Sequence, residues 1–153
     1  MKKIILYFCF LIIYGCTGYE PLFSTKNSNY YIINIENVNK DNLTQRISKR
    51  LDNYKSVDDN KKGYILKISS NMKNIVSSKD SKGQVSTYEM IVNVDLKVFS
   101  KDSNRAINSF KFNKNFIYNN QENKSNLSQY KKDILKNLIN KISQEIIIKL
   151  QSL

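Results

Sequence analysis

From Tyr88 to Val98 every second residue is apolar: Tyr88, Met90, Val92, Val94, Leu96 and Val98. Glu89, Asn93, Asp95 and Lys97 lie between them. Successive side chains of a strand point to opposite faces, so this segment reads as a half-buried antiparallel strand. One face is dry and the other wet. Wherever such a strand sits, an apolar layer must cover one side of its sheet.

The rest of the chain supplies that layer and the neighbouring strands. Tyr30 to Asn37 is a short β-rich run, with Tyr31, Ile33 and Ile35 expected on one face. Asn39-Lys40-Asp41-Asn42 is a polar cluster able to cap a helix. Leu43, Ile47, Leu51 and Tyr54 then form one helical stripe. A polar connection from Lys55 to Gly63 leads to a strand over Tyr64 to Ile75, with Tyr64, Leu66, Ile68 and Met72 on one face. The turn-forming run Ser77 to Gly83 joins it to the alternating strand, and Lys101 to Asn104 turns into a weaker strand over Ala106 to Tyr118. There Phe110, Phe112, Phe116 and Tyr118 share a register. A long helix from about Leu127 to Gln151 closes the chain. Its stripe is Ile134, Leu138, Ile142 and Ile146, widened by Leu135, Ile139 and Leu150. A stripe of that width suits a helix packed on a sheet better than one lying on a membrane surface.

The order β-α-β-β-β-α with one apolar face per strand predicts an α+β fold. It is a two-layer α/β sandwich: a four-stranded mixed sheet with two helices on one face. The first β-α-β link is expected to be a right-handed parallel crossover, and the next three strands an antiparallel meander. Residues 30–153 then form a single domain.

The first residues have a different character. Met1-Lys2-Lys3 precedes an uncharged run from Ile4 to Tyr14, then Gly15-Cys16. Two lysines, a short apolar run and a small residue are the layout of a secretory signal. The run is far short of the roughly 20 residues that cross a bilayer as a helix. Ile13-Tyr14-Gly15-Cys16 resembles the lipobox of bacterial lipoproteins. That resemblance implies cleavage after Gly15 and lipid, palmitate included, on Cys16. Residues 1–15 are then a signal peptide and 16–29 a lipidated N-terminus and linker. Two or more acyl chains anchor stably where one does so only reversibly. Thr17 stands where an aspartate would imply inner-membrane retention, so the implied destination is the outer membrane, on its periplasmic side. Cys9, in mid-run, reads as an inert small hydrophobe lost with the signal.

The chain is basic, with formal charge +12, which favours anionic partners. Lysine dominates, since only Arg46, Arg50 and Arg105 are arginines, and the abundance of lysine, asparagine and isoleucine fits compositional drift toward AT-rich codons equally well. Export argues against nucleic acid as a partner. There is no histidine, which removes the commonest general base and transition-metal ligand. Gly15, Gly18, Gly63 and Gly83 are too scattered for a phosphate-cradling loop. Asp58-Asp59 is the one adjacent acid pair, in a predicted loop. No catalytic, cofactor or metal constellation stands out, and no enzyme is expected. The remaining candidates are basic side chains that could touch an anionic lipid. Lys73, Lys79 and Lys82 flank the first hairpin turn, and Lys101 and Arg105 the second, at opposite ends of the sheet. Lysines of this kind also protect sheet edges from pairing.

Gly15-Cys16-Thr17-Gly18-Tyr19-Glu20-Pro21-Leu22-Phe23 resembles the start of mature lipoproteins of the LptE family, with Thr17 inserted after the cysteine. The strand-helix start, the three following strands entered through Gln84-Val85-Ser86-Thr87-Tyr88, and the long final helix fit that family's layout. The resemblance implies a plug and assembly partner of the LptD β-barrel, serving lipopolysaccharide assembly at the outer membrane. Two other readings remain open. One is a periplasm-facing lipoprotein that binds an anionic ligand or lipid without a barrel. The other is a lipid-transfer module with an apolar cavity.

Overall fold

The computed structural model describes residues 28–58, 60–103 and 105–153. Gly15, Cys16 and the segments expected as signal and most of the linker lie outside these residues, as do Asp59 and Asn104. The described chain forms β1 (Tyr30–Asn37), α1 (Asn42–Leu51), a 3-10 turn (Asp52–Tyr54), β2 (Lys62–Lys79), β3 (Val85–Ser100), β4 (Ala106–Asn119) and α2 (Lys124–Gln151). This is the expected α+β order. The sheet runs β1-β2-β3-β4, with β1 parallel to β2 and the other neighbours antiparallel.

Alternation along β3 translates directly into burial. Met90, Val92, Val94, Leu96 and Val98 all point into the core beneath the helices. They meet Leu43, Ile47 and Leu51 of α1 and Ile134, Leu138, Ile142 and Ile146 of α2. Ile147 joins the same core. At the β1 end, the Tyr30 hydroxyl donates to the Ile147 carbonyl at 3.4 Å, and burial pushes its pKa upward. Lys114 Nζ and Glu145 Oε1, 2.5 Å apart, tie β4 to α2.

Local chemistry sets the ends of the elements. Asp80 Oδ1 accepts from the Lys82 and Gln84 amides at 2.9 and 2.8 Å, and Gly83 takes the left-handed φ of 77° that closes the β2–β3 turn. Asn123 caps α2 by accepting from the Ser125 and Asn126 amides. Asp41 caps α1: Oδ1 accepts from the Thr44 amide at 2.7 Å and Oδ2 from the Thr44 hydroxyl at 2.9 Å. That hydroxyl lies 2.7 Å from Ser70 Oγ on β2, so the cap also fastens the helix to the sheet. Asp41→Ala is expected to cost about 1 kcal/mol or slightly more, with Asp41→Asn recovering most of it. Chemical denaturation midpoints measure this, and an unshifted midpoint for the alanine variant would remove the cap from the account.

Three expectations need correction. Tyr31, Ile33 and Ile35 do not share a face. Tyr30 and Ile32 enter the core, the register slips between Ile32 and Asn34, and Ile35 packs against the core beyond the slip. One extra residue reverses the alternation of everything after it. Second, β2 does not end at Ile75 but runs to Lys79, and every residue past Ser70 is exposed. Met72 is on the expected face yet 42% exposed, because the helical layer does not cover that part of the sheet. Phe116 on β4 is likewise 42% exposed. Third, Tyr54 leaves the α-helix for the 3-10 turn, where it still packs against the core.

Candidate functional site

The five basic residues singled out from the sequence fall at separate places. Lys79 ends β2 and Lys82 sits in the turn after it. Lys73 does not flank that turn. It pairs with Ile91 in the body of the sheet, roughly 20 Å back along the strand at about 3.3 Å per residue. Lys101 and Arg105 border the β3–β4 turn at the opposite end, where the Lys101 amide donates to the Gly63 carbonyl at 3.2 Å.

A cleft of about 690 Å³ opens beside Lys101, lined also by Tyr31, Lys61, Lys62 and Tyr64. Its cations are engaged: Lys61 pairs with Asp58 at 3.3 Å, and Lys62 Nζ donates to the Leu153 carbonyl at 2.9 Å. Near the β4–α2 junction, Lys131 Nζ stands 5.2 Å from the Tyr88 ring and 5.8 Å from the Tyr118 ring, a cation–π contact on a stacked pair.

The helix layer holds a different arrangement. Arg46, Lys49 and Arg50 of α1 face Lys136 and Asn140 of α2 across a groove of about 270 Å³. No acid lines it, and among the described residues none of these four cations takes part in an ion pair. A second recess of about 190 Å³ adjoins the groove, sharing Arg50, Asn53 and Asn140 and adding Ser143. Asn140 Oδ1 and Ser143 Oγ are buried there without a hydrogen-bond partner. This groove is not among the sites expected from the sequence. Two of the three arginines sit one helical turn apart, on the flank of the Leu43, Ile47 and Leu51 stripe, and that spacing was the available signal. Nothing in the sequence pointed to Lys136 as their neighbour.

The sheet face away from the helices is mostly polar, broken by exposed Ile75 and Ile117, and several of its polar side chains bond to one another. Asn93 Nδ2 donates to Asn71 Oδ1 at 3.0 Å, and Asn113 Nδ2 to Asn93 Oδ1 at 2.6 Å, forming an amide ladder across three strands. Asn115 donates to Glu89 at 2.5 Å. Lys67 pairs with Glu36 at 2.9 Å and lies over the Phe99 ring. Among the described residues, no group of His, Cys, Asp and Glu could hold a metal ion.

Residues 28–150 match the LptE family, described as lipopolysaccharide-assembly. No curated protein sequence matches the chain. Solved structures with the same fold include the rare lipoprotein B of Shewanella oneidensis, 19% identical, with TM-score 0.61, covering 79% of this chain and 94% of that one. Another is an uncharacterized lipoprotein B of Nitrosomonas europaea, 12% identical with TM-score 0.58, covering 89% and 92%. A third is a minor lipoprotein of Acinetobacter baumannii, 14% identical with TM-score 0.56, covering 80% and 92%. At these identities the likeness is one of fold, and the family match spans nearly the whole described domain. The chain belongs to the LptE lipopolysaccharide-assembly family.

Proposed function

We propose that this protein is an outer-membrane lipoprotein, tethered on the periplasmic side through lipid on Cys16, that plugs a β-barrel of the LptD type and helps assemble lipopolysaccharide. The observation that carries the reading is the family match over residues 28–150. The open sheet face supports it: its amide ladder and paired charges suit a water-lined lumen. No helix among the described residues is long and apolar enough to cross a membrane, so attachment through Cys16 and the barrel fits the chain. In this reading the protein scaffolds rather than catalyses. Lys73, Lys79, Lys82, Lys101 and Arg105 are the side chains proposed to meet anionic groups of lipopolysaccharide. The lipid-transfer alternative is disfavoured, because Ile68, Leu96, Ile142 and Ile146 fill the space between the layers with essentially no solvent access.

The test is isolation of the full-length lipoprotein from its own membranes in mild detergent. A barrel of the LptD type is expected to co-purify in a fixed ratio. An intact, stable monomer recovered alone would refute the barrel partnership.

A further inference from the structure

We propose that the groove between α1 and α2 binds a phosphate-bearing anion, held by Arg46, Arg50 and Lys136 and by the Ser143 hydroxyl. Four cations line the groove and no acid does. Their mutual repulsion costs stability until a counter-charge enters. The helix dipole accounts for two of them, since Lys49 and Arg50 sit in the last turn of α1, where cations are favoured. It does not account for Arg46, one turn earlier, or for Lys136 within α2.

A second observation points to the same place. Ser143 is 6% exposed, and its Oγ has no partner. Buried hydroxyls are normally hydrogen-bonded, so an orphan beside a cationic groove calls for an acceptor from outside. A phosphate oxygen is such an acceptor. Asn140 Oδ1 is also unpartnered, and turning the amide over presents its two N–H donors instead. Arg50 and Asn140 line both recesses, so the cationic side and the hydroxyl side meet at shared residues. An arginine fork donates to two phosphate oxygens at once, whereas a lysine meets phosphate as a point charge. The same chemistry fits a free phosphate or the phosphomonoester of a lipid headgroup.

The inference stands apart from the barrel proposal, since its test needs no partner protein. The full-length protein in neutral detergent micelles is titrated calorimetrically in two arms. One uses inorganic phosphate, with chloride at matched ionic strength as reference. The other uses micelles doped with phosphatidic acid. Binding in the first arm assigns free phosphate; binding in the second alone assigns a lipid headgroup. The double variant Arg46→Gln, Arg50→Gln is expected to bind about tenfold more weakly or worse. Ser143→Ala is expected to weaken binding about threefold while its unliganded melting temperature stays level or rises, because an orphan hydroxyl is removed. Lys111→Gln, exposed on β4 of the sheet, should bind as the parent does. Silence in both arms, or unchanged affinity in the arginine double variant, overturns the proposal.

Discussion

Leu96→Ala is expected to lower the stability of the fold by about 3 kcal/mol. Leu96 has no solvent exposure and sits in mid-strand, between Ile68 of β2 and Phe110 of β4. Truncation there removes apolar burial and leaves a void. The void cannot close easily, because β3 is hydrogen-bonded on both sides and its backbone cannot move in to fill it. The loss amounts to about a hundredfold in the folding equilibrium, at about 1.4 kcal/mol per decade. Urea unfolding should show a lower midpoint with an unchanged slope. Phe116→Ala is the internal control. It removes more apolar atoms but from a side chain that is 42% exposed, so its cost should stay below about 1 kcal/mol. Equal losses at the two sites would mean that the helical layer does not end where the structure places it.

Gly63→Val is expected to cost about 2 kcal/mol, by overpacking rather than by cavity formation. A Cβ at residue 63 would stand 2.8 Å from Tyr31 Cζ, from Tyr31 Oη and from Ile33 Cδ1. The Tyr31 ring is rigid and the residue is only 4% exposed, so it has little room to retreat. Tyr31 is the direct cross-strand partner of Gly63, ahead of the slip between Ile32 and Asn34. Tyr31→Ala in the same molecule should therefore relieve part of the cost, with a coupling of about 1 kcal/mol in a double-mutant cycle. Simple additivity would show that the clash is not with the ring.

Much of the fold was legible because its signals are local. Tyr88 to Val98 could only be a strand with one dry face, and the spacing of Ile134, Leu138, Ile142 and Ile146 could only be a helix on that face. Gly83 and Asp80 marked the first hairpin turn through their own backbone chemistry. The β2 extension past Ile75 was harder to read. Both of its faces meet water, so no alternation distinguishes strand from loop there.

The candidate site was legible in the other direction only. Lysines near predicted turns drew attention because turns can be predicted, yet Lys73 proved to lie in mid-sheet. The α1–α2 groove was not visible, although Arg46 and Arg50 share one side of a helix, because its other wall comes from residues about ninety positions away.

By itself the sequence determined the elements, their order, the parallel first pair with its antiparallel meander, and which face of each long element is dry, since periodicity within one segment carries that information. Only the tertiary structure decided the strand order, the slip that separates Tyr31 from Ile35, the length of sheet left uncovered, and the meeting of Arg46 and Arg50 with Lys136 and Ser143. Those features depend on how finished elements pack against one another, and packing between distant segments leaves no period in the chain.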